Sequence, residues 1–175
     1  MDLELTYTLG DLDAASALLV RVAQDRVERG EELWPPRSLT PERLERYYPR
    51  PGWRVAWHGG EAVGTYVLLD ADPLFWPDDP PGEAAYLHKL SVHPGWQGRG
   101  LSHTLLEHAA AEACALGRSF LRLDTAAERP RLRALYAAAG FREVDVVQAG
   151  SWRVARFERR LTAGPLPGAS AHGER

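Results

Sequence analysis

The segment Gln97-Gly98-Arg99-Gly100-Leu101-Ser102 stands between an apolar run and an amphipathic one. Glycines let a chain turn tightly and bring its backbone close to a ligand. The free N–H groups at a helix start carry the positive end of the helix dipole, so a strand, a glycine turn and a helix in succession can hold an anion such as pyrophosphate without any side-chain charge. The dinucleotide fingerprint would need a third glycine, and the stretch Gly98-Arg99-Gly100-Leu101-Ser102-His103 lacks it. A Walker A loop would need a terminal Gly-Lys-Ser/Thr, which is also missing. Taken alone, Gly95, Gly98 and Gly100 serve equally well as a plain strand-to-helix turn.

Other reactive side chains are sparse. His103 and His108 are five residues apart on the expected helix and His93 lies across a turn, a spacing that fits solvated positions and no metal. The single cysteine, Cys114, has no intrachain partner and reads as a packing residue. Asp70, Asp72, Asp78 and Asp79 crowd a proline-rich stretch where they could attract a cationic amine or simply face water. Trp34, Phe75, Trp76 and Trp96 read as plugs under loops, with lining of an acceptor pocket as the alternative.

The elements that must position these groups follow from periodicity. Alternation over residues 3–8 predicts a strand. Asp11 or Asp13 caps a helix through Ala15 to Glu28, and Trp34-Pro35-Pro36 breaks the chain before a short helix at Thr40-Pro41. Trp53–His58 and Glu61–Leu69 flank Gly59-Gly60 as a hairpin, and Asp70–Gly82 is a loop with an aromatic knuckle. A strand over Ala84–Val92 places Tyr86, His88 and Leu90 on one face and Leu87, Lys89 and Ser91 on the other. Leu101, Leu105, Leu106, Ala109, Ala113 and Leu116 recur at helical spacing, followed by a strand at Phe120–Leu123 and a helix at Pro130–Ala139. Strands at Phe141–Val147 and Ser151–Leu161 close the pattern, and residues 162–175 have the composition of a flexible tail.

The 175 residues, 45% hydrophobic and 26% charged, suit one globular domain over residues 1–161. A formal charge of −3 offers no extended basic face, so nucleic acid is not an expected partner. No apolar run approaches the roughly 20 residues of a membrane span. Met1–Leu9 lacks the basic and apolar regions of a signal peptide, so a cytoplasmic location is expected. An exposed final strand would allow two copies to pair as a homodimer.

Leu90-Ser91-Val92 followed by Gln97 to Ser102 resembles the signature of the GNAT superfamily of N-acetyltransferases, hydrophobic-x-hydrophobic and then Gln/Arg-x-x-Gly-x-Gly/Ala. Leu121-Arg122-Leu123-Asp124 and then Leu135-Tyr136-Ala137-Ala138-Ala139-Gly140-Phe141 resemble its second motif, Leu-Tyr-x-x-x-Gly-Phe. The resemblance spans residues 3–161. It implies an α+β fold with a mostly antiparallel mixed sheet of six to seven strands, helices on both faces and a β-α-β-α cofactor-binding core.

It also implies acetyl-CoA as cosubstrate, without metal, and an acetyl group passed to a primary amine of a small molecule in a ternary complex with no covalent Cys114 intermediate. Backbone groups of Leu90, Ser91 and Val92 would pair with the pantetheine arm, and the amides of Gln97, Gly98, Arg99, Gly100, Leu101, Ser102 and His103 would hold the pyrophosphate. Tyr136 takes the position of the family's general acid. His88 stands where many members carry a basic glutamate, with Glu83 as a second candidate. Ser102 replaces the final Gly or Ala, and Arg129 replaces an asparagine, from where it could reach phosphate. The alternative is a non-catalytic CoA-binding module.

Overall fold

Two of the four described α-helices begin at a side-chain cap. Asp11 accepts from the Ala14 N–H at 3.1 Å, so α1 spans Leu12–Glu28. It starts three residues before the expected Ala15 because Leu12 already belongs to the buried stripe with Ala15, Leu19, Val22 and Ala23. Thr40 caps α2 (Pro41–Tyr47), with proline at the first turn where a missing N–H costs nothing. The helices α3 (Leu101–Ala115) and α4 (Pro130–Ala138) follow the two motif segments. The computed structural model describes residues 3–32 and 34–162; the expected tail over 162–175 lies outside them apart from Thr162. No described helix is long and apolar enough to cross a membrane.

The strands β1 (Thr6–Leu9), β2 (Trp53–His58), β3 (Glu61–Leu69), β4 (Ala84–Val92), β5 (Phe120–Ala126), β6 (Arg142–Ala149) and β7 (Trp152–Arg160) form one sheet in the order β1-β2-β3-β4-β5-β7-β6. Every neighbouring pair is antiparallel except β4 and β5, which α3 connects as a parallel crossover. Period two sorts the side chains. Val55 and Val67 pack with Leu12, Leu19 and Leu44 on the side of α1 and α2. Ala56, Tyr66 and Leu68 pack with Leu105, Leu106 and Tyr136 on the side of α3 and α4. Gly64 allows close contact there, for a Cβ on it would lie 2.6 Å from Leu105 Cδ1. β5 runs three residues beyond the expected Leu123 because β7 pairs with it up to Ala126↔Val154.

Two irregularities in the middle of the sheet prepare the site. Pairing of β4 with β5 stops at Leu87↔Leu123, although β4 runs on to Val92 and β5 to Ala126. The far half of β4 therefore pairs with β3 alone, leaving one edge of its backbone open. In addition, Val67 faces His88 while Thr65 faces Ser91, so β4 carries one extra residue there. The bulge places Lys89 at φ 54°, in the left-handed region that a lysine seldom adopts. It also overturns the uninterrupted alternation expected for this strand. His88 shares the α2 side with Tyr86, but Leu90 packs against the α3-side core with Leu87 and Val92.

Candidate active site where two strands part

The glycine turn opens onto solvent. Gln97 through Gly100 are exposed, and Gly98 and Gly100 have φ of 77° and 76°. Gly100 is the N-cap of α3 and has no side chain to satisfy the first helical N–H groups, so those of Leu101, Ser102 and His103 remain for a ligand. A Cβ on Gly98 or Gly100 would meet nothing within 4 Å. These glycines are needed for their backbone angles, and the space beside them is free. His93 Nδ1 accepts from the Gly95 N–H at 3.0 Å and fixes the approach to the turn. The guanidinium of Arg99 lies 4.6 Å from the centre of the Trp96 ring. The open edge of β4 at Leu90, Ser91 and Val92 leads straight into this cradle. Arg129 does not join it; from the N-cap of α4 it donates to the Glu32 carbonyl at 2.8 Å, in the segment after α1.

His88 and Asp124 are the first residues beyond the last β4–β5 pair. Asp72 completes a cluster with them in which the imidazole nitrogen and carboxylate oxygens lie within 4.8 Å of one another. His88 Nε2 is 2.9 Å from Asp72 Oδ2. That is ion-pair distance, yet the ring N–H is not aligned along it, and neither Asp72 Oδ2 nor Asp124 Oδ2 has a hydrogen-bond partner among the described residues. Asp72 is only 8% exposed. Burial, reinforced by the neighbouring Asp72 charge, pushes the Asp124 carboxyl up to about 6 against the opposing effect of His88, Arg156 and Lys89. Burial likewise brings Lys89 down to about 8, with Asp124 resisting the fall. The Lys89 ammonium sits 4.1 Å from the centre of the Trp34 ring, and the Tyr48 ring is 5.2 Å from His88. Two carboxylates and an imidazole are also a donor set that a divalent cation can use. The metal-free expectation rests on Cys114 and on the spacing of His93, His103 and His108, none of which belongs to this set.

Tyr136 projects from α4 into the core, its ring 6.0 Å from Phe141 and 5.7 Å from Phe157. Packing and chemistry are compatible in it, since the ring is held by neighbours while burial, and secondarily the Asp124 charge, raises the phenol above its ordinary pKa. Such a phenol stays protonated. It transfers its proton most readily to a thiolate that the same desolvation has made more basic. Glu83, the other candidate base, is not brought to this place. It accepts from Arg122 at 2.9 Å at the start of β4, five residues before His88.

That arginine explains how a proline-rich loop can hold Asp72 in register. Arg122 joins Asp79, Glu83 and Glu158, and the Tyr86 hydroxyl also donates to Asp79. Arg156 pairs in bidentate fashion with Asp145 and donates to the Phe75 carbonyl at 3.0 Å, while its guanidinium lies 4.6 Å from the Trp76 ring. Arg118 takes Asp70 at 3.2 Å. Of the four loop aspartates, Asp70 and Asp79 anchor the loop, Asp78 is exposed and Asp72 turns toward His88. Trp76 is the plug that the sequence implied, whereas Trp34 reaches the site. His108 corrects the expectation of a solvated ring: it stacks on Tyr7 at 3.5 Å, and its Nδ1 is 2.7 Å from the Tyr66 hydroxyl.

Sequence reasoning passed over Asp124 and Lys89. Asp124 alternates with Arg122 on what looks like a solvated strand face, and only the loop folded over that face reveals its burial. The bulge at Lys89 has no glycine or proline to mark it.

Known proteins are similar to this chain in sequence and in fold. A family model described as the acetyltransferase (GNAT) family matches residues 19–141. The uncharacterized N-acetyltransferase YesJ of Bacillus subtilis (strain 168) is 26% identical over 159 residues, covering 87% of each chain. A GNAT-family acetyltransferase from Listeria monocytogenes 4b F2365 superposes with a TM-score of 0.72 at 18% identity, over 91% of this chain and 96% of that one. YncA of Salmonella typhimurium, solved with its cofactor acetyl-CoA, gives a TM-score of 0.64 at 19% identity over 94% of this chain and 98% of the other.

Proposed function

We propose that this chain, which belongs to the acetyltransferase (GNAT) family, moves an acetyl group from acetyl-CoA to a primary amine of a small molecule by direct attack within a ternary complex. The observation that carries this reading is the parting of β4 from β5 after Leu87↔Leu123, beside a glycine-capped helix start. The open backbone edge of Leu90 to Val92 suits an extended amide-bearing arm, and the free N–H groups from Gly98 to His103 suit a pyrophosphate. The solved relative with acetyl-CoA supports the choice of ligand.

Within that cleft His88, beside Asp72, takes a proton from the ammonium directly or through water. The freed nitrogen lone pair forms the C–N bond to the thioester carbon. Unpaired N–H groups of the β4 edge are the donors available to the developing oxyanion. As the C–S bond breaks, the nitrogen sheds its second proton to water, and Tyr136 gives its proton to the leaving thiolate and recovers one from solvent. Cys114 has no part in this sequence. It lies at the far end of α3 from the cradle, with its Sγ 3.7 Å from the Thr162 carbonyl oxygen.

Titration with acetyl-CoA by calorimetry tests the reading first, followed by release of free CoA in the presence of a panel of amines. The expected result is saturable binding and amine-dependent thiol release. Absence of binding at millimolar acetyl-CoA would refute it.

A further inference from the structure

We propose that Asp124, together with Asp72, forms the subsite that receives the acceptor's ammonium group, and that the chain favours amines with no carboxylate on the carbon bearing the nitrogen. This rests on the acetyl-transfer reading above and narrows it to a substrate class.

The first support is position. Asp124 is the β5 residue at the point where β5 leaves β4, opposite His88, so a group bound to it lies beside the base and at the mouth of the open β4 edge. The second is unmet hydrogen-bonding capacity. Asp72 is more than nine-tenths buried, and one carboxylate oxygen on each aspartate has no donor among the described residues. A buried carboxylate oxygen without a donor costs on the order of 1–3 kcal/mol, and an ammonium supplies three donors at once.

Charge selects the ligand. Asp72 and Asp124 carry two negative charges and the bulge lysine, Lys89, carries one positive charge, while Arg156 is already committed to Asp145 and the Phe75 carbonyl. With His88 neutral, as a base must be, one negative charge is left. A single ammonium balances it, whereas a divalent metal would leave an excess positive charge beside Lys89. The aromatic rings of Trp34 and Tyr48, which flank Lys89 and His88, suit a cation as neighbours. A carboxylate on the carbon bearing the nitrogen would be forced toward the same two aspartates, where like charges at short range repel strongly.

Matched pairs of acceptors read this directly: n-butylamine against norvaline, and phenethylamine against phenylalanine, each with acetyl-CoA. The expected kcat/KM is at least tenfold higher for the carboxylate-free member of each pair. Asp124→Asn is expected to raise the amine KM at least tenfold with the acetyl-CoA Kd unchanged, and its thermal melt shows whether the variant is folded. Equal rates within the pairs, or an unchanged amine KM in Asp124→Asn, would overturn the subsite. If no amine is acetylated, binding of n-butylamine to the CoA-loaded protein by calorimetry separates the two proposals. Binding that Asp124→Asn abolishes keeps the subsite and removes the transfer reading, while no binding removes the subsite. Micromolar binding of Zn²⁺ or Mn²⁺ that excludes n-butylamine would also overturn it, in favour of a metal centre.

Discussion

Replacing Tyr136 by phenylalanine removes one oxygen and nothing else. The ring keeps its contacts with Phe141 and Phe157, so the melting temperature should move by no more than a few degrees. What is lost is the proton donor to the thiolate. General acid catalysis is worth about 10²–10⁴ in rate, which is roughly 3–5 kcal/mol of barrier. Turnover in Tyr136→Phe should therefore fall by at least a hundredfold. The acetyl-CoA Kd should stay within about twofold, because the cradle of Gly98 to His103 and the β4 edge are untouched. Tyr136→Ala is the control for packing: an emptied ring site in a buried position costs about 3–5 kcal/mol of stability. Initial rates of thiol release, a thermal melt and a CoA titration on the same three proteins separate these effects. Full activity in Tyr136→Phe would refute the acid assignment and leave the tyrosine a core residue.

Three other perturbations follow from the packing and the charges. Asp124 has a folded-state pKa of about 6 against 3.8 unfolded, so its protonated form is the one that favours folding; stability is lost as pH rises from about 4 through 6, by up to about 3 kcal/mol. Asp124→Asn should abolish that loss, and parallel melting curves for both proteins between pH 4 and 8 would show the group is not buried as described. Gly64→Ala drives a methyl to within 2.6 Å of Leu105 Cδ1 and should cost about 1–3 kcal/mol in urea unfolding, partly recovered with Leu105→Val; a neutral effect would contradict the close approach of α3 to β3. Arg122→Met leaves three carboxylates without their common cation and should cost about 3–5 kcal/mol, with the loop holding Asp72 loosened in proportion. A cost under about 1 kcal/mol would show that Arg122 does not hold the loop.

Much of the scaffold could be read from periodicity and punctuation. The hairpin at Gly59-Gly60, the strand at Ala84–Val92 and the helix after Gly100 appear at the expected residues, since each depends on local signals. The cradle was legible for the same reason. The candidate site around His88 was legible only in part, because it is assembled from distant segments. His88 belongs to β4, Asp124 to β5 and Asp72 to a loop pinned by Arg118, Arg122 and Arg156. Nothing near Asp72 in sequence distinguishes it from Asp70 or Asp79; tertiary ion pairs do that. The side reversal of Leu90 was hidden as well, since a single-residue bulge is decided by cross-strand register and not by residue type.

The central claim is that the parted strands and the glycine-capped helix form one acetyl-CoA site ending between His88 and Tyr136. A crystal structure of the chain with CoA tests it most directly. The account predicts the pyrophosphate on the N–H groups of Gly98 to His103, the arm paired along Leu90 to Val92, and the thiol beside the Tyr136 hydroxyl. A pyrophosphate seated elsewhere, or a thiol remote from Tyr136 and His88, would contradict it.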